Sequence, residues 1–442
     1  MPTSFTTQRS ILRNVVVGGG TQLTLDEIMA DAALTYRARP EANGFFQIEL
    51  TKESDYQYAG KGSSFATESR LIEQASSGDI NTRLDDYLAG WFLAMVMGND
   101  AFTVGPPAAP AAPVLSSVAG GVLAAATYYV KTTYVAGGGE TLPSAEANLA
   151  VVADDVLQVA SPAASGGATG YNVYVSTAIG AETKQNAAPI AIGTAWTEPT
   201  TGLIAGGALP VVGTGPNTHV LTWADTGAPA QVTNVYIEDA PGLKRKFQDM
   251  SCTKVVLSGT GKGSVMAKAS FIGTGRYADG PMAALPALPT AQYLYGSDSI
   301  FSIGPAGAPA SLSPRVLSWE ATFDHANDLF RSCGGGVYPV FPRYGNPVCS
   351  LKVVVAIDTT SDIRDWMMAQ TLLEAKIAIT SGAAGLTIDY PNVIIPKSDL
   401  SDDSKYVVYT IELDQNSILQ PAGGQVCTVT VLNQAAAYLI AA

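Results

Sequence analysis

The chain has 442 residues, 47% of them hydrophobic and only 14% charged, with a formal net charge of −13. That length suffices for two or three domains with buried cores. The acidic balance excludes a stationary, phosphate-gripping nucleic-acid binder, which needs clustered Lys and Arg; it fits either a soluble surface or a wall that polyanions slide past. The 44 Gly and 26 Pro show no period, and with abundant Thr, Val and Tyr they predict many short strands and turns. The polar start Met1-Pro2-Thr3-Ser4-Phe5-Thr6-Thr7 lacks a basic segment followed by an apolar one, so no signal peptide is expected. The longest apolar run, Ala89 to Gly98, is too short to span a bilayer, and no membrane insertion is expected.

A first block runs from Met1 to about Gly105. Phe45-Phe46-Gln47-Ile48-Glu49-Leu50 predicts a strand and Gly60-Lys61-Gly62-Ser63-Ser64 a loop. A helix follows, capped by Asp79 or Asn81. Leu84, Leu88, Trp91, Phe92 and Met95 recur at three- and four-residue steps and form one apolar face. Arg83, Asp85 and Asp86 fall on its wet side, and Gly98-Asn99 stops it. Trp91 and Met95 read as core.

A Pro/Ala hinge, Pro106 to Pro113, then opens a stretch to Gly213 that carries only Lys131, Lys184 and six acidic residues. Strands are predicted at Ala126–Val135, closed by the 136–140 glycine turn, at Val151-Val152, at Val156–Val159, at Gly170–Ser176 and around Trp196. A Gly206-Gly207 turn completes the stretch. In Gly170–Ser176 the strict alternation puts Tyr171, Val173 and Val175 on one face. Six or seven short strands in this length make a β-sandwich. The pattern resembles a fibronectin type III or immunoglobulin-like module, most recognisably at Tyr171-Asn172-Val173-Tyr174-Val175, and its Tyr and Trp are expected to build the sandwich core.

Strand signals resume at His219–Trp223, Gln231–Glu238, Phe247–Ser258 and Ser264–Ile272, the last two joined by the Gly259–Gly263 turn. From Ser297 the order repeats. Extended segments Val316–Phe323 and Cys349–Ile357 precede a helix that starts at Ser361 or Asp362, points Ile363, Trp366, Met367, Leu372 and Leu373 inward and ends near Thr380-Ser381-Gly382. Tyr406–Leu413 and Val426–Leu432 close the chain. Without the insert, each half reads as strands, one helix and more strands, an internal duplication of architecture rather than of identity. The fold class expected is therefore mainly β with a few helices: two β-sheet/helix halves, 1–105 with 214–285 and 286–442, with a β-sandwich inserted at 106–213.

Candidate chemistry is sparse, and no catalytic, cofactor-binding or metal residue is assigned. The two histidines, His219 opening an apolar strand and His325 in the turn Asp324-His325-Ala326-Asn327, lack a GxSxG elbow or another marked nucleophile. Gly259-Thr260-Gly261-Lys262-Gly263-Ser264 has neither the spacing of a phosphate loop nor a following helix, so it reads as a hairpin turn. Asp154-Asp155 and Asp402-Asp403 lack the alternating ligands of a calcium loop and read as solvated turns. Cys252, Cys333, Cys349 and Cys427 lack CxxC spacing and read as buried, reduced thiols. Lys244-Arg245-Lys246 reads as a small basic loop suited to an acidic neighbour.

Two stretches carry a likeness to a known family: His219–Tyr277, with Val232-Thr233-Asn234-Val235-Tyr236-Ile237-Glu238 and Gln248–Ser258, and Val316–Cys333, with Trp319-Glu320-Ala321-Thr322-Phe323-Asp324-His325-Ala326. Here the chain resembles the major tail tube proteins of long-tailed, siphovirus-type bacteriophages, with the immunoglobulin-like module as an insert. The resemblance implies a structural virion protein, not an enzyme, made in the host cytoplasm and without a cofactor. It implies rings stacked into a tube, through which viral DNA passes transiently along an acidic lumen. Neighbouring sheets would join into one barrel, with a helix covering the outer face of each sheet and the segments Thr3–Arg13 and around Gly60 stacking the rings. Three chains close a pseudo-hexameric ring if both halves are tube folds, six if only one is. Other tail proteins are implied as partners, and the insert is expected on the tail exterior, with weak contact to host-surface glycan. The rival readings are a capsid decoration or host-surface adhesin that binds through the insert and, further off, a glycan-processing enzyme.

Overall fold

The computed structural model describes residues 13–18, 25–38, 46–55, 68–103, 109–136, 139–165, 168–210, 217–239, 243–286, 292–333, 336–357, 362–382, 384–396, 398–403, 406–433, 435, 438 and 439. Phe45, the 60–64 loop, the start through Leu12, Pro106–Ala108 and Gly137-Gly138 lie outside them. The fold is mainly β with two α-helices. It divides into two compact units. One comprises Met1–Ala101, His219–Val431 and Ala437–Ala442, and the other Phe102–Thr218 with Leu432–Ala436.

In the first unit, strand β1 (Gln47–Asp55) pairs with the 16-residue β2 (Glu68–Arg83). The polar sequence of β2 hides a period of two: Ser76, Ile80 and Thr82 are buried, while Ser77, Asp79, Asn81 and Arg83 alternate with them toward solvent. Asp79 and Asn81 thus lie in a strand and cap nothing.

Helix α1 (Asp86–Met97) is capped instead by Asp85, whose Oδ1 accepts from the Leu88 N–H at 2.7 Å. Gly98 ends it in the left-handed region at φ 91°, its N–H donating to the Ala94 carbonyl. Every residue from Leu88 to Met97 is buried, which overturns the expected one-sided helix with Asp85 and Asp86 in water. The reason is location: α1 touches strands of both large sheets and lies between them as core. Trp91 stacks on Tyr36 at 5.5 Å and on Phe271 at 6.0 Å.

Past α1 come β3 (Gly98–Thr103), β4 (Asn217–Trp223), β5 (Thr233–Asp239), the 18-residue β6 (Leu243–Thr260), β7 (Met266–Gly273), β8 (Ser299–Pro305), β9 (Val316–Asp324) and β10 (Val348–Ala356). Helix α2 (Asp362–Ala369) is shorter than the sequence suggests. Gln370 turns out of it at φ 50°, and β11 (Leu373–Ser381) begins at once. Leu373, Ala375, Ile377 and Ile379 alternate inward there, a strand period that the predicted helix overran. Ile363 is buried, whereas Leu372 and Met368 are exposed. The chain closes with β12 (Ala384–Val393), β13 (Ser398–Asp403), β14 (Tyr406–Leu413) and β15 (Thr428–Asn433).

The larger sheet has twelve strands, eight of which run β1-β2-β7-β6-β9-β10-β14-β13, every pair antiparallel. β5 and the shorter strands Arg13–Gly18, Tyr36–Ala38 and Tyr277–Asp279 extend it beside the N-terminal part of β6. The eight strands hold a repeat. Taken in chain order, β1, β2, β6 and β7 lie side by side as first, second, fourth, third, and β9, β10, β13 and β14 lie in that same order. A helix follows the second strand of each set. The next two strands after each helix are hydrogen-bonded neighbours, β3 with β4 and β11 with β12. Both pairs belong to the seven-stranded sheet Ala310–Ser311, β8, β11, β12, β15, β4, β3.

The second unit therefore occupies a hairpin connection that in the other set is the short turn after Ser381. Its five-stranded sheet comprises Thr183–Lys184, Gly170–Ser176, Ala126–Ala136, Gly139–Glu140 and Ala147–Val151, and its three-stranded sheet comprises Trp196–Thr197, Asp155–Val159 and Leu115–Ala119. Tyr128, Val130, Tyr134, Tyr171, Val173 and Val175 meet Leu157, Val159 and Trp196 in one core between the sheets. Asn172 and Tyr174, on the other side of Gly170–Ser176, are buried too. Asn172 accepts from Asn186 at 2.7 Å, and Glu140 accepts from Tyr174 at 2.5 Å and Thr133 at 2.8 Å and pairs with Lys184 at 3.2 Å. Lys131 pairs with Glu182 and Glu146 at 3.3 and 3.4 Å. Both lysines of this unit are thus tied to carboxylates.

The α1 cap makes stability depend on pH. Burial pushes the Asp85 carboxyl from 3.8 up to about 6 and also raises that of Asp86. The folded state then binds the proton more tightly than the unfolded chain, so this stabilisation is full below about pH 4 and is lost as pH rises through 6. Thermal melts between pH 4.5 and 7.5 should show a smaller gain on acidification for Asp85→Asn, which keeps the acceptor, than for the parent. Asp85→Ala should cost about 1 kcal/mol at pH 7 through the lost cap.

Candidate assembly interface

The groups that could have carried catalysis are packed into the core. The His219 ring is buried with Nδ1 at 3.2 and 3.1 Å from the two Asp100 carboxylate oxygens, and its face lies 4.3 Å from the Tyr438 ring. The Tyr438 N–H donates to the same carboxylate at 2.9 Å. His325 places Nδ1 2.8 Å from the Val96 carbonyl and stacks on Tyr344 at 4.2 Å, and burial holds its imidazole below the ordinary range. Cys252, Cys349 and Cys427 are buried thiols, with burial pushing Cys349 up to about 12. Cys333 departs from the expectation and is exposed.

The remaining candidates are structural. Gly259 and Thr260 still belong to β6, and Gly261–Gly263 make the β6–β7 turn, with Gly263 at φ 132°. Asp154 turns at φ 65° before the Asp155–Val159 strand, whereas Asp402 and Asp403 lie in β13, not in a turn. Lys244, Arg245 and Lys246 are not a basic loop but the start of β6. There they pair with Glu238 at 2.8 Å, Asp279 at 2.7 Å and Asp31 at 2.8 Å. Among the described residues, no group of three or more His, Cys, Asp or Glu could hold a metal ion, and no helix is long and apolar enough to cross a membrane.

What the fold leaves open is the sheet itself. Among the described residues β1 pairs only with β2, and β13 only with β14, so the eight-stranded run ends in two edges. An edge strand offers unpaired N–H and C=O groups to another chain. At the β1 edge, Leu50 stands opposite Gln74, in phase with the buried Ser76, and is 53% exposed; nearby Ile72 is 45% exposed. The core face is thus uncovered at this margin.

Inside the subunit, the junction between the two four-strand sets shows how such edges meet. β6 and β9 pair in continuous register from Lys254↔Asp324 to Thr260↔Ser318. Val255, Leu257, Trp319, Ala321 and Phe323 face the core across it. Gly259 lies opposite Trp319, where an added Cβ would sit 2.5 Å from the indole Nε1. The missing side chain lets the indole cross the junction and donate to Ser299 Oγ at 3.1 Å.

A family-model comparison matches residues 59–414, under the description phage tail tube protein. The chain belongs to the phage tail tube protein family. The matched span takes in β2 through β14 and the inserted unit between β3 and β4, and it begins after β1. A search of curated proteins found no match to the chain. Membership makes the subunit a structural component of the virion tail and implies self-assembly into a tube. Sequence periodicity marks the strands flanking the central junction of the sheet but not β2 or β12.

Replacing Gly259 with Val should force the Trp319 indole out of its seat. The expected loss is about 1–3 kcal/mol, accompanied by red-shifted tryptophan fluorescence, both measurable by denaturation of the unassembled subunit.

Proposed function

We propose that the subunit closes into rings by joining the β13 edge of one copy to the β1 edge of the next, and that stacked rings form the tube through which the viral DNA leaves. The observation that carries this reading is the repeated order of β1, β2, β7, β6 and β9, β10, β14, β13, with an already closed junction between the sets. β6 and β13 occupy the same place in their sets, as do β9 and β1. A β13–β1 pairing between copies would therefore repeat the β6–β9 pairing within one. Because the run contains eight antiparallel strands, an even number, the new junction is antiparallel as well. Three copies of eight strands give a wall of twenty-four, wide enough to enclose a channel rather than a packed interior.

On this reading the two halves, 1–105 with 214–285 and 286–442, are two tail-tube repeats in one chain, and the ring is a trimer with pseudo-sixfold order. The solvent face of the eight strands lines the channel. The inserted two-sheet sandwich, immunoglobulin-like in its strand pattern, is displayed on the tail exterior. Its attachment supports that placement, since it interrupts a hairpin of the seven-stranded sheet and leaves the eight-stranded run uninterrupted.

Negative-stain microscopy with mass measurement tests the proposal. Rings of three copies and tubes of uniform bore are expected; compact monomers at all concentrations, or six-copy rings, would count against it. Glu49→Pro with Thr51→Pro, both exposed on the edge strand, should abolish rings while leaving a folded monomer by circular dichroism. Joining Thr103 to Asn217 through a two-residue turn, which removes the insert, should leave tube formation intact.

A further inference from the structure

Three lysines stand on the solvent face of the eight-stranded run, and each is tied to a carboxylate on the adjacent strand. Lys254 Nζ on β6 is 3.5 Å from Asp324 Oδ2 on β9. Lys268 Nζ on β7 is 3.1 Å from Asp79 Oδ2 on β2, and Lys352 Nζ on β10 is 2.7 Å from Glu412 Oε1 on β14. Lys352 also has Glu320 of β9 directly opposite in register, so a carboxylate-bearing residue stands on each side of it. Short uncharged residues, Ser258, Ser270, Thr322, Ser350 and Thr410, alternate with these on the same face, and Arg83 lies on it at the end of β2.

All six partners keep between 31% and 53% of their side-chain surface in water. Exposed ion pairs of this kind add little to stability, so folding alone does not account for the placement. Their effect on a passing polyanion is direct. Lysine holds duplex DNA by exchanging the counterions of phosphate for its own charge, and a lysine already neutralised by a cross-strand carboxylate has less to offer. The neighbouring carboxylate also repels the phosphate that would replace it.

We propose that Asp79, Asp324 and Glu412 mask Lys268, Lys254 and Lys352, so that these three lysines of the wall do not hold passing double-stranded DNA. The lysines in turn keep the face from becoming a continuous acidic surface that would repel its own neighbours across the sheet. The proposal rests on the reading that this face lines the tube.

The test uses assembled tubes and the unassembled subunit with a short fluorescent duplex DNA at low salt. Asp79→Asn, Asp324→Asn and Glu412→Gln together should raise DNA retention about tenfold or more over the parent, with a steep fall on adding salt. Adding Lys254→Gln, Lys268→Gln and Lys352→Gln should return retention to the parent level. A control with an equal change of net charge elsewhere, Asp154→Asn, Asp225→Asn and Asp298→Asn, should leave retention unchanged. If the first variant forms tubes that retain no more DNA than the parent, or if the control retains as much, the masking role is wrong while the tube reading stands. If the parent forms no tubes, the tube reading fails and the masking role falls with it. If only the variant fails to assemble, the gel shift of its unassembled subunit against the parent's decides, an unchanged shift overturning the masking role.

Discussion

A strand at the end of a sheet leaves backbone N–H and C=O groups without protein partners, and among the described residues the eight-stranded run has two such ends, β1 and β13, with every strand between them paired on both sides. Proteins that remain monomeric blunt such edges with a bulge, a proline or an inward charge. Here a bulge between Thr51 and Lys52 interrupts the register of β1 with β2, and the margin still leaves Leu50 and Ile72 in water. The β6–β9 junction shows that the same kind of edge, once joined, becomes ordinary sheet with a continuous core beneath it.

That junction is only as firm as what lies behind it, and α1 supplies the backing. The helix is apolar on every side because it fills the space between the two large sheets, with Trp91 stacked between Tyr36 and Phe271. Two carboxylates start it in a buried setting: Asp85 holds the Leu88 N–H, and Asp86 accepts from the Gln292 N–H at 3.0 Å. Buried acids are tolerated because each is engaged by backbone donors, and their cost appears as raised pKa values. The histidines follow the same economy of space: both became packing elements, His219 held by Asp100 and His325 by the Val96 carbonyl.

Much of the strand content was legible because a half-buried strand writes its period into the sequence. Val316–Asp324 and Cys349–Ala356 alternate cleanly, and the Tyr/Val run of Gly170–Ser176 points to a sandwich core. β2 was illegible because its buried side holds Ser76 and Thr82, small polar residues that read as loop. The start of β11 reads as helix because Leu372 and Leu373 look like a continuation of the face of Ile363, Trp366 and Met367, whereas Leu372 is exposed. α1 misled in the opposite way: a helix buried on all sides has no period to show, and acids at its start look like a wet face. The open edges themselves leave no mark on composition, since pairing partners separated by hundreds of residues emerge only from topology.

The repeat within one chain has a kinetic consequence. In the proposed three-copy ring, half of the junctions between four-strand sets would form during folding of a single chain, at a rate independent of concentration. Only the other half require encounters between molecules, so a ring nucleus needs three bodies instead of six. Fusing two sets also fixes their order, because a chain whose own β6 and β9 are joined cannot contribute a lone set to a ring of the wrong size. Covalent linkage thereby turns a problem of counting subunits into one of folding each of them once.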